Sequence, residues 1–184
     1  MIAAALSVPL AGLLSEVPGS LRHVTVADAT VDLDDGLVLA LPIDAAIDIA
    51  RTNRGVLVDA RIRTALAEEC SRCLRPVVTP LEITIREEVL PSIDLASGHL
   101  IDPAAEPEVA RLTDHHELNL ARLFREAISL AEPIAPLCEP DCPGLCIECG
   151  ERLGEGHREH DIDDLDPRLA ALRAFRVDAE SESE

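Results

Sequence analysis

Six cysteines fall at two places in this 184-residue chain: Cys70 and Cys73, then Cys138, Cys142, Cys146 and Cys149. Thiolates separated by two intervening residues reach a single metal ion while the backbone N–H groups of the turn point at sulfur. The run Leu145-Cys-Ile-Glu-Cys-Gly-Glu-Arg-Leu153 resembles a zinc knuckle, with Gly150 permitting the tight bend. A structural zinc takes four ligands in a tetrahedron, and two sets compete for the role. The compact set is Cys138, Cys142, Cys146 and Cys149; the cross-linking set is Cys70, Cys73, Cys146 and Cys149, which would staple the C-terminal segment to the preceding sheet. Spacing favours the compact set narrowly. His157 and His160 follow closely enough to replace a cysteine.

Zinc leads the other uses of such cysteines. Six buried hydrophobes rarely fall in pairs, and disulfides belong to oxidising compartments. A thioredoxin-like C-x-x-C needs a strand-to-helix setting, whereas Cys70-Ser-Arg-Cys73 lies between two strand patterns. The compact set also has a spacing that iron–sulfur ligation tolerates. A thiol redox or metal-handling protein is therefore the alternative to a structural zinc protein.

Nothing else in the chain signals an enzyme. There is no Ser/His/Asp signature, phosphate-binding loop, glycine-rich dinucleotide turn or His-Glu-x-x-His, and no small-molecule substrate is indicated. His115 and His116 lie in an acidic stretch and read as solvent-exposed; Asp161, Asp163, Asp164 and Asp166 read as a solvated charge run. Arg61, Arg63, Arg72 and Arg75 could bind phosphate. They equally suit a solvated sheet face, or pairing with Glu68, Glu69 and Glu82.

Charge sets the class of partner. Thirty-five acids against sixteen bases, all of them arginine, give a net charge of −19. Such a field repels phosphate backbones and anionic membranes and attracts basic proteins. Only the stretch from Arg51 to Arg86 is net basic, and it surrounds the first cysteine pair. With two Phe and no Tyr or Trp, the chain has no aromatic platform for stacking bases.

The elements that position these residues follow from periodicity. A short apolar helix precedes Pro18-Gly19, and two apolar runs flank Asp34-Asp35-Gly36 as a hairpin. Ala45 to Thr52 is a weak strand pattern, followed by turn residues Asn53-Arg54-Gly55. Val56 to Leu66 alternates cleanly, with Val56, Val58, Ala60, Ile62, Thr64 and Leu66 on one face and Asp59, Arg61 and Arg63 on the other. Leu81, Ile83 and Ile85 alternate with Glu82, Thr84 and Arg86, which predicts an antiparallel sheet wet on one side. Residues 91–116 read as a mobile surface loop. Leu120, Leu123, Phe124, Ala127, Ile128 and Ala131 form one helical stripe ended by Pro133, and Asp166-Pro167 starts a short helix through Arg176.

The expected fold class is α+β: an antiparallel sheet with a packed helix and a C-terminal cysteine-rich, zinc-stapled segment. The expected division is a sheet-plus-helix domain over 1–133, a cysteine-rich segment and short helix over 134–176, and a disordered acidic tail over 177–184. Met1 to Leu14 is apolar but has no basic residue before Arg22, unlike a signal peptide, and no window approaches the ~20 apolar residues of a membrane span. A cytoplasmic location is expected, with no membrane partner.

Three segments together resemble the YceD family: Cys70-Ser-Arg-Cys-Leu-Arg-Pro76 after a strand, Pro136-Leu-Cys-Glu-Pro-Asp-Cys-Pro-Gly-Leu-Cys-Ile-Glu-Cys-Gly150, and Asp166-Pro-Arg-Leu-Ala-Ala-Leu172. The helix Leu120 to Ala131 falls where that family places one. The resemblance implies a non-enzymatic ribosome biogenesis factor, found in bacteria and plastids, that supports accumulation of 23S ribosomal RNA. It ties the shared function to the Cys70/Cys73 turn, since many members lack the later cysteines. Ile147 stands where the family's knuckle usually has proline, which loosens the turn without removing a ligand. The implied partner is precursor large-subunit ribosomal RNA, touched by the basic strand pair, or a ribosomal protein escorted by the acidic remainder.

Overall fold

A computed structural model describes residues 6–34, 36–95, 97–102, 104, 109–154, 156 and 157. The expected helix from Asp166 to Arg176, the acidic tail, His160 and the aspartates from Asp161 to Asp166 lie outside the described residues. The chain divides into two compact units, Met1–Cys142 and Pro143–Glu184. Residues 134–142, assigned from sequence to the cysteine-rich segment, thus lie in the same unit as the sheet.

The first unit is mostly sheet. Its elements run β1 (Ser7–Pro9), α1 (Ala11–Ser15), β2 (Leu21–Ala29), β3 (Val38–Arg51), β4 (Val56–Glu69), β5 (Pro76–Leu90), β6 (Ala110–Arg111), β7 (Glu117–Asn119) and α2 (Leu120–Leu130). Strands β2-β3-β4-β5-β6 form a five-stranded sheet in that order, antiparallel except for β5 and β6, while β1 and β7 pair separately. The alternation along β4 sets the buried face: Val56, Val58, Ala60, Ile62, Thr64 and Leu66 are all buried, whereas Arg61 and Arg63 point to solvent. On α2 the buried residues are Leu120, Leu123, Phe124 and Ile128, and they belong to the same hydrophobic core as Ile47, Ile49, Val58 and Ile62. Asn119 caps that helix, its side chain accepting a hydrogen bond from the Arg122 N–H at 3.1 Å.

Proline explains two features of the sheet. Pro42 supplies no N–H within β3, and the β3–β4 register slips across it, between Leu41 and Asp44, after a first slip between Leu39 and Leu41. The buried Thr64 hydroxyl donates to the Leu41 carbonyl at 2.8 Å, so the one polar group among the buried face residues of β4 satisfies an acceptor at this irregularity. Along β5, β6 pairs only with Val89 and Leu90. Pro76 and Pro80 therefore stand where β5 is an edge strand and needs no donor.

Two expectations are corrected here. The weak strand over Ala45 to Thr52 is the second half of β3, a single fourteen-residue strand from Val38 that pairs with β2 on one side and β4 on the other. The loop over 91–116 contains β6, and Leu112 beyond it is buried with its N–H bonded to the Leu90 carbonyl.

Candidate metal centre

The six-residue connection between β4 and β5 is a knuckle closed by its own backbone. The Cys70 N–H donates to the Arg75 carbonyl at 2.8 Å, and the Leu74 N–H donates to the Cys70 carbonyl at 2.9 Å. This ring places Cys70 and Cys73 side by side, both buried. After α2 the chain returns across the knuckle. The Ser71 N–H donates to the Pro136 carbonyl at 2.8 Å, and Arg72 Nη1 donates to the Cys142 carbonyl at 3.0 Å. Cys138 and Cys142 are delivered to the knuckle by these two anchors. The four sulfurs of Cys70, Cys73, Cys138 and Cys142 all lie within 4.8 Å of one another.

The distances match a metal tetrahedron. Zinc–thiolate bonds of about 2.3 Å at tetrahedral angles put sulfurs about 3.8 Å apart. The Sγ–Sγ separation is 3.7 Å for Cys70 with Cys142 and 3.7 Å for Cys73 with Cys138. No disulfide joins any of the six cysteines. Burial pushes the Cys70 thiol up, but N–H groups of Cys138, Arg72 and Cys73 and the Cys73 thiol overcome it and bring the pKa down to about 6. Burial, together with hydrogen bonding to the thiols of Cys142, Cys73 and Cys70, pushes Cys138 up to about 12. A cluster that stabilises one thiolate with backbone donors and crowds three further thiols around it suits a cation that can replace the protons.

The second unit repeats the knuckle. The Cys146 N–H donates to the Glu151 carbonyl at 2.7 Å and the Gly150 N–H to the Cys146 carbonyl at 2.9 Å. These are the same two bonds, at the same offsets, as in the Cys70 turn. Cys146, Cys149 and His157 have ligand atoms within 4.8 Å of one another. The partition of sulfurs thus differs from both sequence-derived sets. Cys138 and Cys142 group with Cys70 and Cys73, and Cys146 and Cys149 group with His157. The reason is local: Cys146 and Cys149 are committed to their own hydrogen-bonded turn, while Arg72 and Ser71 fix Cys142 and Pro136 to the first.

Both knuckles need a left-handed residue at the fourth position after the first cysteine. Gly150 supplies it at φ +71°, but in the first knuckle Leu74 does so at φ +55°. An L-residue in that conformation costs on the order of 1 kcal/mol, and Leu74 is more than half exposed, so little packing offsets the strain. Leu74→Gly is expected to raise the thermal midpoint by about 2–4 °C, a net gain of about 1 kcal/mol. A fall in the midpoint would mean the leucine side chain contributes packing that outweighs its backbone.

The candidate RNA contacts do not gather in one place. Arg61 and Arg63 project from the middle of β4, where Arg63 Nε lies 3.2 Å from Glu82 Oε1 and stands opposite Asp44 on β3. Arg72 and Arg75 belong to the knuckle. Six strand residues at ~3.3 Å each put it about 20 Å along β4 from Arg63. Arg72 engages the Cys142 carbonyl. Of the two histidines, His115 is exposed and His116 half-buried, with φ +59°. Among the described residues, neither lies in a cysteine cluster.

A small sheet protein with a four-cysteine cluster built on a hairpin knuckle is the class these features define. The profile of the YceD family, described as "Large ribosomal RNA subunit accumulation protein YceD", matches residues 58–176, and the chain belongs to that family. It is 33% identical over 144 residues to uncharacterised proteins of Mycobacterium tuberculosis and Mycobacterium bovis, covering 77% of this chain and 64% of theirs. It is 20% identical over 163 residues to an Arabidopsis thaliana protein named large ribosomal RNA subunit accumulation protein YCED homolog 1, chloroplastic, covering 77% of this chain and 50% of that one. The chain therefore spans less than two thirds of the length of these relatives. No solved structure matches it. Among the described residues, no helix is long and apolar enough to cross a membrane.

Proposed function

We propose that this protein is a non-enzymatic, cytoplasmic assembly factor of the large ribosomal subunit that supports accumulation of 23S ribosomal RNA. Its family membership over residues 58–176 carries the reading. A structural zinc held by Cys70, Cys73, Cys138 and Cys142 staples the segment after α2 to the β4–β5 hairpin. The ion neutralises the thiolates and locks the turn. This chain's residues do the rest: Arg72 and Ser71 align the two cysteine pairs, and the sheet, with α2 packed on it, gives the hairpin a rigid base.

A basic ribosomal protein is the favoured contact. Net charge of −19 opposes approach to phosphate, and acids outnumber arginines across the outer face: Asp44 and Glu82 flank Arg63, and Asp59 stands between Asp48 and Arg86. Replacing Arg61 and Arg63 together with glutamine is expected to change affinity for precursor 23S RNA by less than about twofold, against a loss on the order of tenfold if both neutralised phosphates. The second outcome, measured by filter binding at moderate salt, would restore the RNA-contact reading.

The primary test is depletion of the protein in cells, followed by subunit profiles and quantification of 23S against 16S RNA. A selective fall in 23S RNA and large subunits is expected. An unchanged profile would overturn the assembly reading and turn attention to thiol redox or metal handling.

A further inference from the structure

We infer that Cys146, Cys149 and His157 belong to a second, independent metal centre, specific for a borderline-soft divalent ion such as zinc and more readily exchanged than the first. The inference does not depend on the four-cysteine centre being occupied.

Three observations carry it. First, the turn that presents Cys146 and Cys149 is the same hydrogen-bonded knuckle that presents Cys70 and Cys73. It is closed by Cys146 N–H to Glu151 O and Gly150 N–H to Cys146 O, and is held beneath by an antiparallel bridge between Leu145 and Arg152. The Glu148 N–H points at Cys146 Sγ, 3.4 Å away, as expected of a turn built to carry a thiolate. Second, His157 is brought to this knuckle by a turn of its own, in which its N–H donates to the Gly154 carbonyl at 3.2 Å. Its Nε2 lies 3.4 Å from Cys149 Sγ. A zinc with bonds of about 2.3 Å to sulfur and about 2.05 Å to nitrogen puts those atoms about 3.6 Å apart at the tetrahedral angle. Third, the two centres differ in closure. Among the described residues, the first gathers four sulfurs, three of its cysteines buried, whereas the second gathers two sulfurs and an imidazole, with Cys149 exposed.

The exposed Cys149 gives solvent and chelators a route to this ion that the buried thiols of Cys70, Cys73 and Cys142 deny to the other. Two thiolates and an imidazole select zinc-like ions over magnesium or calcium, which require oxygen donors. The second centre is therefore the exchangeable one. Its ion should leave first under chelation.

The test is a cobalt(II) titration of the full chain, read by absorbance and by native mass spectrometry, for the wild type and for Cys149→Ser/His157→Gln. The wild type is expected to take two ions. One of them should show about half the sulfur-to-cobalt absorbance of the other, since it has two thiolates against four. The double variant should bind one ion fewer. A variant that binds as many ions as the wild type would overturn the inference. So would a wild type that binds a single ion with the absorbance of four thiolates. A single ion with the absorbance of two thiolates, lost in the variant, would uphold this centre and refute the four-cysteine one.

Discussion

Cys142→Ser is expected to strip the metal from the four-sulfur centre and to lower the thermal midpoint by about 10 °C or more, the larger part of which a strong chelator should reproduce in the unaltered chain. Cys142 is almost fully buried, its sulfur lies 3.7 Å from Cys70 and its carbonyl is held by Arg72. Serine there loses a ligand and leaves a buried hydroxyl with no metal to face. A structural zinc site in a small domain carries an apparent binding free energy on the order of 10 kcal/mol, and each kcal/mol is worth about 2–4 °C in a chain of this size. The loss should be local before it is global. Hydrogen exchange should accelerate first at the Ser71 and Leu74 amides, which bond to Pro136 and Cys70, and last at Val58 and Ile62 in the core. Cys149→Ser, in the cluster of the other unit, is expected to leave exchange at the Ser71 and Leu74 amides unchanged. Equal acceleration of these amides in the two variants, or metal retention by Cys142→Ser, would show that the hairpin is not stapled in this way.

The sequence made some of this architecture legible and hid the rest for identifiable reasons. The strict alternation from Val56 to Leu66 needed no context, because a two-residue period with aliphatics on one face has one economical meaning, and β4 buries that face. The stripe from Leu120 to Ile128 was equally plain. β3 reads in pieces because Pro42 interrupts it, and a proline in a central strand is tolerated only through the register slip that neighbouring strands reveal. β6 has two residues, too few to carry any period.

The grouping of the cysteines is hidden in the sequence for a different reason. Cys138 to Cys149 look like one run when counted along the chain, yet Gly144, at φ +86°, separates two segments that serve different knuckles. The positive φ at Gly150 is signalled by glycine. The matching one at Leu74 carries no such signal, and the equivalence of the two knuckles emerges only from their hydrogen bonds. The anchor from Arg72 to Cys142 joins residues seventy positions apart, and the arginine reads from sequence as a candidate RNA contact.

Gly55→Ala is expected to destabilise the fold by about 3 kcal/mol, lowering the thermal midpoint by about 6–12 °C, although alanine is the smallest possible addition. Glycine here is required by proximity and not by a left-handed backbone. A Cβ at this position would lie 2.3 Å from the Val89 carbonyl oxygen and 3.1 Å from the Leu90 Cα, both backbone atoms that cannot swing aside. The crowding falls where three parts of the sheet meet. The Gly55 carbonyl accepts from the Thr52 N–H and from Arg51 Nη1, its own N–H donates to the Thr52 hydroxyl, and Arg51 Nε reaches the Leu14 carbonyl at the end of α1. Pushing β5 away would also open the pair of Val56 with Val89 and the short parallel pairing of Val89 with Ala110 beyond it. Gly19→Ala is the control. It has open space around its missing Cβ and a φ of +95°, so it should cost only the backbone strain, on the order of 1 kcal/mol. Should the two variants unfold at the same temperature, the close approach of Gly55 to β5 would be compliant, and the end of the hairpin opposite the cysteine knuckle would be free to breathe.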